Sequence, residues 1–184
     1  MSGGPTPPDL HETAHDLIAA LAAGGDSLAV AESLTGGQLV AALTSVPGSS
    51  RVVRGAVIAY APDVKVSLLA VDANLLDTQG PVCAEVAEQM ARGARVALGA
   101  SYGVSTTGEA GPESASGQPV GTVYVAVDGP RGRASRAFRF PGPRSAVQLA
   151  AVRAALHLLA DSRLAPAPSA DVAPDPTGDG NTLD

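Results

Sequence analysis

A serine followed closely by two glycines is the strongest chemical feature of the 184-residue chain. Ser33 lies in the segment ESLTGG (32–37), between a short apolar run at 27–31 and a helical pattern of apolar residues that follows. A serine at such a junction lies at the carboxyl end of a strand, where open α/β sheets bind ligands. Glycines allow close backbone approach, and free N–H groups at a helix start can stabilise an oxyanion. The alternative is that the hydroxyl only caps the helix.

Lys65 is the second candidate, because it is the only lysine among 12 basic residues. It ends the segment YAPDVK (60–65), which lies at another predicted strand-to-helix turn. A lysine can act as the general base for a serine if its pKa falls by roughly 3 units, and burial without a carboxylate partner can cause that shift. Tyr60 can relay a proton or orient the lysine. The alternative is a solvated Lys65 beside a half-buried Tyr60, and the scarcity of lysine argues slightly against it.

A third candidate segment runs from Ser105 to Pro112 (STTGEAGP), where a predicted strand enters a glycine-containing loop. Its hydroxyl and N–H groups, including those of Thr106, Thr107 and Gly108, can bind a phosphate or a carboxamide. An ordinary surface loop explains the same pattern equally well. His11 and His15 lie one helical turn apart without an evident third ligand, so no metal site is predicted.

Composition excludes several classes of protein. Acids outnumber bases 18 to 12, but the end segments hold five of the acids, which leaves 13 acids against 12 bases between residues 10 and 163. This nearly neutral body disfavours direct nucleic-acid binding, and the arginines at 131–139 fit a solvated strand face better. A single cysteine, Cys83, excludes an internal disulfide. No apolar run approaches the roughly 20 residues of a membrane span, so we expect a cytoplasmic protein without membrane contact.

Helical and strand periodicities alternate along the chain, which predicts an α/β (α+β) fold. We expect a mixed sheet of about five or six strands covered by helices, with a C-terminal hairpin and a closing helix. Segments 1–8 and 165–184 are rich in Pro, Gly, Ser and Asp, and are expected to be a disordered tail and a disordered acidic tail around one domain at 9–164. The predicted helices are 10–21, 39–46, a short one from Pro62, a longer one from Pro81 and 145–160; the predicted strands are 27–31, 55–60, 102–106, 120–127 and 134–140.

Five motifs taken in order resemble the CinA C-terminal domain family, the family of nicotinamide-nucleotide amidohydrolases. They are AESLTGG (31–37), GAVIAYAPDVK (55–65), GPVCAEVAEQMARGAR (80–95), TTGEAGP (106–112) and PVGTVYVAV (119–127). Their order and intervals are far more specific than any one of them, and they cover essentially the whole body. The length leaves no room for the N-terminal domain of full-length members, so the chain resembles the stand-alone form.

The resemblance implies hydrolysis of the carboxamide of nicotinamide mononucleotide to nicotinic acid mononucleotide and ammonia. Ser33 is then the nucleophile, Lys65 its base and Tyr60 an assisting group. We assign the oxyanion donors to Thr35, Gly36 and Gly37, and the substrate phosphate to Arg144. Thr106, Thr107 and Gly108 complete the expected substrate site. No cofactor is expected. The apolar faces of the Ala-rich helices favour a homodimer.

The sequence also departs from the family pattern, while the serine, the tyrosine and the lysine remain. The departures are Pro62 for Asn, Cys83 for Ser, Glu109 for an apolar residue, Pro143 for Asp and Gln148 for Arg. Glu109 places a negative charge near the expected phosphate site. These changes bear on substrate affinity and specificity. They leave open a second hypothesis, a weak or inactive module of the same fold that binds a nucleotide or a protein.

Overall fold

The computed structural model describes residues 9–164, so the predictions for segments 1–8 and 165–184 lie outside the described residues. The strands are β1 (Leu28–Glu32), β2 (Val53–Ile58), β3 (Tyr102–Gly108), β4 (Thr122–Gly129) and β5 (Gly132–Arg139). The helices are α1 (Leu10–Ala23), α2 (Gln38–Thr44), α3 (Pro62–Leu69), α4 (Ala73–Gln79), α5 (Ala84–Ala97) and α6 (Arg144–Leu164), with a 3₁₀ turn at Ser49–Arg51.

The five strands form one mixed sheet in the order β2-β1-β3-β4-β5, which confirms the predicted fold class. β1 is parallel to both β2 and β3, and the remaining pairs are antiparallel. Glu32, the last residue of β1, pairs with Ile58 on one side and with Thr106 on the other. The carboxyl ends of three strands therefore meet at one edge of the sheet, and the three candidate segments all lie at these ends.

Helices cover both faces of the sheet, and the alternation of β1 explains how they divide. Leu28 and Val30 join the larger apolar core beneath α1, α2 and α6, whereas Ala29 and Ala31 join the core beneath α3 and α5. Large residues on the first face supply most of the burial, at roughly 1.5–3 kcal/mol for each large apolar side chain. Small residues on the second face let α5 lie close to the sheet.

Two glycines show how close that packing is. A Cβ on Gly103 of β3 would lie 2.0 Å from the carbonyl oxygen of Ala91 in α5, and one on Gly93 would lie 2.0 Å from that of Leu69 at the end of α3. Neither contact leaves room for a side chain. Glycine at both positions therefore fixes α5 against β3 and against α3, the helix that carries Lys65.

Several predicted boundaries differ from the structure by one to four residues, and two of them bear on the site and on the hairpin. The helix expected to open at Pro81 begins at Ala84, because Thr107 Oγ1 donates to the Pro81 carbonyl (2.7 Å) and keeps this segment out of the helix. The hairpin turn expected over 128–132 is shorter, since β4 continues to Gly129 and β5 resumes at Gly132.

Helix α4 was not predicted, since its seven residues offer no clear apolar periodicity. The Asp72 carboxylate accepts the Asn74 N–H (2.9 Å) and caps it. Across residues 9–164, no helix combines the length and the apolar character needed to cross a membrane.

Candidate active site

The three strand ends surround one cavity of about 240 Å³ at the edge of the sheet. Ser33 comes from the turn after β1, Lys65 from α3 after β2, and Thr107 and Gly108 from the end of β3. Tyr60 and Arg144 line the same cavity. The structure thus brings together residues of all three segments that the sequence singled out.

Lys65 is buried at the base of this cavity, with only 1% of its surface exposed. Its Nζ lies 3.0 Å from Ser33 Oγ, 2.5 Å from the carbonyl oxygen of Ala59 and 3.4 Å from that of Tyr60. Helical side chains lean toward the N-terminus of their helix, so a lysine in the first turns of α3 reaches back to the end of β2. Pro62 at the start of α3 fixes that geometry.

Burial lowers the pKa of Lys65 to about 8, because desolvation penalises the ammonium form. No carboxylate is among its hydrogen-bond partners in the described chain. A neutral amine has two hydrogens and one lone pair. It can donate to the carbonyls of Ala59 and Tyr60 and accept from the Ser33 hydroxyl. The site is therefore arranged for proton transfer from serine to lysine.

The turn that carries Ser33 is fixed by Glu32, whose functional importance was missed from the sequence. The fully buried Glu32 carboxylate accepts the N–H groups of Gly37 (2.9 Å), Leu39 (3.1 Å) and Val40 (2.8 Å). These are N–H groups at the start of α2, where a negative charge is favoured. The sequence signal for this role was an acidic residue at the end of a buried strand, directly before the serine.

Hydrogen bonds within the turn already engage two of the three predicted oxyanion donors. The Gly36 N–H donates to the Ser33 carbonyl (3.2 Å), and the Gly37 N–H is bound by Glu32. Both glycines have positive φ, at 58° and 100°, so they shape the turn. Within the described residues, the N–H groups of Leu34 and Thr35 have no hydrogen-bond partner. Leu34 lines the cavity, so its N–H is the donor of this turn that a substrate there can reach, whereas Thr35 is fully buried and does not line the cavity.

The threonines at the end of β3 mainly hold the site together. Thr106 Oγ1 lies 2.7 Å from Thr35 Oγ1 in a fully buried pair that joins β3 to the Ser33 turn. Thr107 lines the cavity, but its hydroxyl donates to the Pro81 carbonyl (2.7 Å). The Ser33 N–H donates to the Thr106 carbonyl (3.0 Å). Direct substrate contact of these hydroxyls stays a prediction.

Tyr60 and Arg144 form the rim of the cavity. Tyr60 is 60% exposed, and its hydroxyl accepts a hydrogen bond from Arg144 Nη2 (2.7 Å). Arg144 Nη1 donates to the carbonyl of Gly111 (3.0 Å), so the guanidinium joins the tyrosine to the loop after β3. Tyr60 contacts Lys65 through its backbone carbonyl, whereas its phenol lies with Arg144.

Gln148 of α6 also reaches the Ser33 turn, although it was noted from the sequence only as a departure from the family. Its Nε2 donates to the Leu34 carbonyl (2.7 Å), and its Oε1 accepts from Gln38 Nε2 (3.1 Å). Sequence spacing could not reveal this contact, because 114 residues separate Gln148 from Leu34.

The other candidate features remain outside this site. Within residues 9–164 no cluster of His, Cys, Asp and Glu could hold a metal ion, and both His11 and His15 are exposed. The hairpin arginines do not form one strip, because Arg133 pairs with Glu88 of α5 (3.5 Å) while Arg136 pairs with Asp161 of α6 (3.1 Å), on the opposite face of the sheet.

A buried lysine beside a serine, at the carboxyl edge of a mixed sheet, defines a Ser/Lys site on an α/β fold. The family sequence model of the CinA C-terminal domain matches residues 10–162 of this chain. A CinA-like protein of Frankia casuarinae is 46% identical over 154 residues, which is 84% of this chain and 35% of that protein. A putative competence-damage inducible protein of Desulforamulus reducens is 46% identical over 134 residues, 73% of this chain and 33% of that protein. The chain thus spans about a third of the length of these curated relatives.

Solved structures agree with this assignment. The competence/damage inducible protein CihA of Agrobacterium tumefaciens matches with a TM-score of 0.82 at 35% identity, over 88% of this chain and 99% of that one. A CinA superfamily protein of Klebsiella pneumoniae gives a TM-score of 0.80 at 32% identity, over 84% and 97%. This chain belongs to the CinA C-terminal domain family.

Proposed function

We propose that the chain hydrolyses the carboxamide of nicotinamide mononucleotide, giving nicotinic acid mononucleotide and ammonia. The observation that carries the proposal is the 3.0 Å contact between Lys65 Nζ and Ser33 Oγ. Burial lowers the pKa of this lysine to about 8. A base with a pKa near the working pH is efficient for general-base catalysis. The family's five sequence motifs suggest the pyridine nucleotide as the substrate.

In the first half of the reaction, Ser33 Oγ attacks the carboxamide carbon while its proton passes to Lys65 Nζ. The negative charge develops on the carboxamide oxygen, and the free N–H of Leu34, a residue of the cavity wall, is the proposed donor that stabilises it. Lys65 then gives the proton to the departing nitrogen, the C–N bond breaks, and ammonia leaves an acyl-enzyme.

In the second half, water attacks the ester that links Ser33 to the substrate acyl group. Neutral Lys65 accepts one proton from this water and returns it to Ser33 Oγ as the ester bond breaks. The product acid gives its remaining proton to the released ammonia or to solvent and leaves as a carboxylate, and both side chains recover their starting protonation states. Arg144 at the cavity rim is the cation proposed to hold the substrate phosphate, since its guanidinium lies in the cavity wall.

The test is release of ammonia from nicotinamide mononucleotide by the purified protein. We expect activity in the wild type and in Ser50→Ala, a control that changes an exposed serine, and its loss in Ser33→Ala and Lys65→Ala. An inactive wild type, or full activity in both site variants, contradicts the proposal. Tight nucleotide binding without ammonia would instead indicate the binding module considered from the sequence.

A further inference from the structure

Glu109, one of the departures from the family pattern, places a carboxylate in the wall of the same cavity. Its surface is only 9% exposed. One carboxylate oxygen, Oε2, accepts three hydrogen bonds from the loop after β3: from the N–H of Ala115 (3.0 Å), the N–H of Ser116 (2.9 Å) and the hydroxyl of Ser116 (2.7 Å). Ala115 and Ser116 line the cavity as well, so Glu109 folds this part of the loop against the site.

The other oxygen, Oε1, accepts no hydrogen bond from the described residues. The two cations of the cavity bind elsewhere, since Arg144 donates to Tyr60 and Gly111 while Lys65 contacts Ser33 and two carbonyls. Neither forms an ion pair with Glu109. The negative charge of Glu109 therefore lacks a cationic partner from the described chain, although it lies in a largely buried wall.

An unpaired carboxylate in such a wall favours a ligand with positive charge and disfavours a neutral one of the same shape. The nicotinamide ring of the proposed substrate carries a fixed positive charge on its ring nitrogen. Ser33 and Glu109 line the same cavity of about 240 Å³, so a ring whose carboxamide reaches Ser33 shares this cavity with the carboxylate, and a charge interaction acts beyond hydrogen-bond distance.

We propose that Glu109 is a specificity-determining residue that selects a cationic pyridinium carboxamide over an uncharged ring of the same shape. This inference rests on the proposed function for the identity of the ligand. The competing explanation is that Glu109 only folds the loop. In that case its neutralisation weakens charged and uncharged ligands equally.

Reduced nicotinamide mononucleotide is a suitable probe, because it keeps the carboxamide, the ribose and the phosphate but has an uncharged ring. Dissociation constants for the oxidised and reduced nucleotides are measured by calorimetry in the Ser33→Ala protein, which cannot turn them over by the proposed route. We expect preference for the oxidised form, and we expect Glu109→Gln to reduce this preference at least roughly tenfold, as for a close charge pair. Glutamine keeps an oxygen that can accept the loop N–H groups.

Two control variants separate charge from loop folding. Glu113→Gln removes an exposed acid from the same loop and should leave the preference unchanged. Ser116→Ala removes one loop hydrogen bond without changing charge, so it should weaken both nucleotides by the same factor. An unchanged preference in Glu109→Gln, an equal loss for both nucleotides, or no binding of either one overturns the inference.

Ammonia release by protein with intact Ser33 distinguishes this inference from the proposed function. Hydrolysis of nicotinamide mononucleotide with an unchanged ring preference in Glu109→Gln leaves the enzyme proposal intact and rejects the role of Glu109. A Glu109-dependent preference without any ammonia release rejects the reaction and retains the recognition of the cationic ring.

Discussion

Of the three oxygen atoms that Lys65 Nζ contacts in the described chain, only Oγ of Ser33 carries a hydrogen. The other two are backbone carbonyls, which can only accept. When Lys65 is neutral, one hydrogen-bond pattern satisfies all three contacts: the amine donates to the carbonyls and the serine donates to the amine. An arginine guanidinium cannot accept the serine proton in this way, because it has no acceptor atom at neutral pH.

The first prediction concerns the pH dependence of activity. Because the pKa of Lys65 lies at about 8 and the neutral amine is the active form, kcat/KM should rise between pH 6.5 and 9 and level off above that range. Lys65→Arg should lose activity by about 10³-fold or more and should show no such rise. Steady-state ammonia release across this range measures both. A flat wild-type profile would contradict the role of Lys65 as a base.

The second prediction concerns stability, because the same pKa shift affects folding. Between pH 8 and 10.5 the unfolded chain keeps a proton on Lys65 that the folded chain has lost, so stability rises with pH there. The destabilisation is fully present below pH 8. From pH 7 to 9.5, we expect the wild type to gain about 2 kcal/mol relative to Lys65→Met.

Urea unfolding of both proteins at several pH values measures this difference. Since Lys65 is the only lysine, no other lysine contributes to the curve. A constant difference between wild type and Lys65→Met across this pH range would show that the lysine titrates alike in both states.

The placement of the serine and the lysine at one edge of the sheet could be predicted from the sequence, because it follows from local sequence patterns. Ser33 and Lys65 each follow an apolar strand, and parallel strands bring their carboxyl ends to one edge. The side-chain contacts could not be predicted, because spacing does not show where a side chain points. Tyr60 shows this limit, since its carbonyl contacts Lys65 while its phenol binds Arg144.

The helix boundary near Pro81 was misjudged for a similar reason. A proline before an apolar helical pattern favours a helix start, and no local signal reports that Thr107 binds the Pro81 carbonyl. A tertiary hydrogen bond overrode the local preference. The same bond places Pro81 and Val82 in the cavity wall, so the error fell on a part of the candidate site.

The third prediction concerns Glu32, which binds three N–H groups at the start of α2. Glu32→Ala leaves these donors without their acceptor in a buried position. It should destabilise the protein by roughly 3 kcal/mol or more and reduce activity, since the Ser33 turn loses its support. Glu12→Ala, which removes an exposed acid from the first turn of α1, should change stability by less than about 0.5 kcal/mol.

Chemical denaturation with ammonia release as a second readout tests Glu32. Glu32→Gln keeps one acceptor oxygen and should be intermediate in both measurements. Equal stability of Glu32→Ala and Glu12→Ala would mean that the buried carboxylate does not support the turn.

The fourth prediction concerns Gln148 as a positioning residue for the Ser33 turn. Its amide donates to the carbonyl of Leu34, and the N–H of the same residue is the proposed oxyanion donor. Because a peptide unit is planar, a hydrogen bond to this carbonyl holds the peptide plane that follows Leu34 and restrains the rotation that would turn the Leu34 N–H away.

Gln148→Leu should therefore lower kcat by about tenfold and change KM little, because the Leu34 N–H acts on charge that develops in the transition state. Gln148→Glu should lose more, since a carboxylate would face the Leu34 carbonyl. Gln38→Leu is the matched control, because Gln38 contacts Gln148 but makes no hydrogen bond to Leu34. Steady-state kinetics, together with a stability measurement on each variant, tests this prediction. A change in KM alone, or an equal loss of kcat in Gln38→Leu, would show that Gln148 does not position the oxyanion donor.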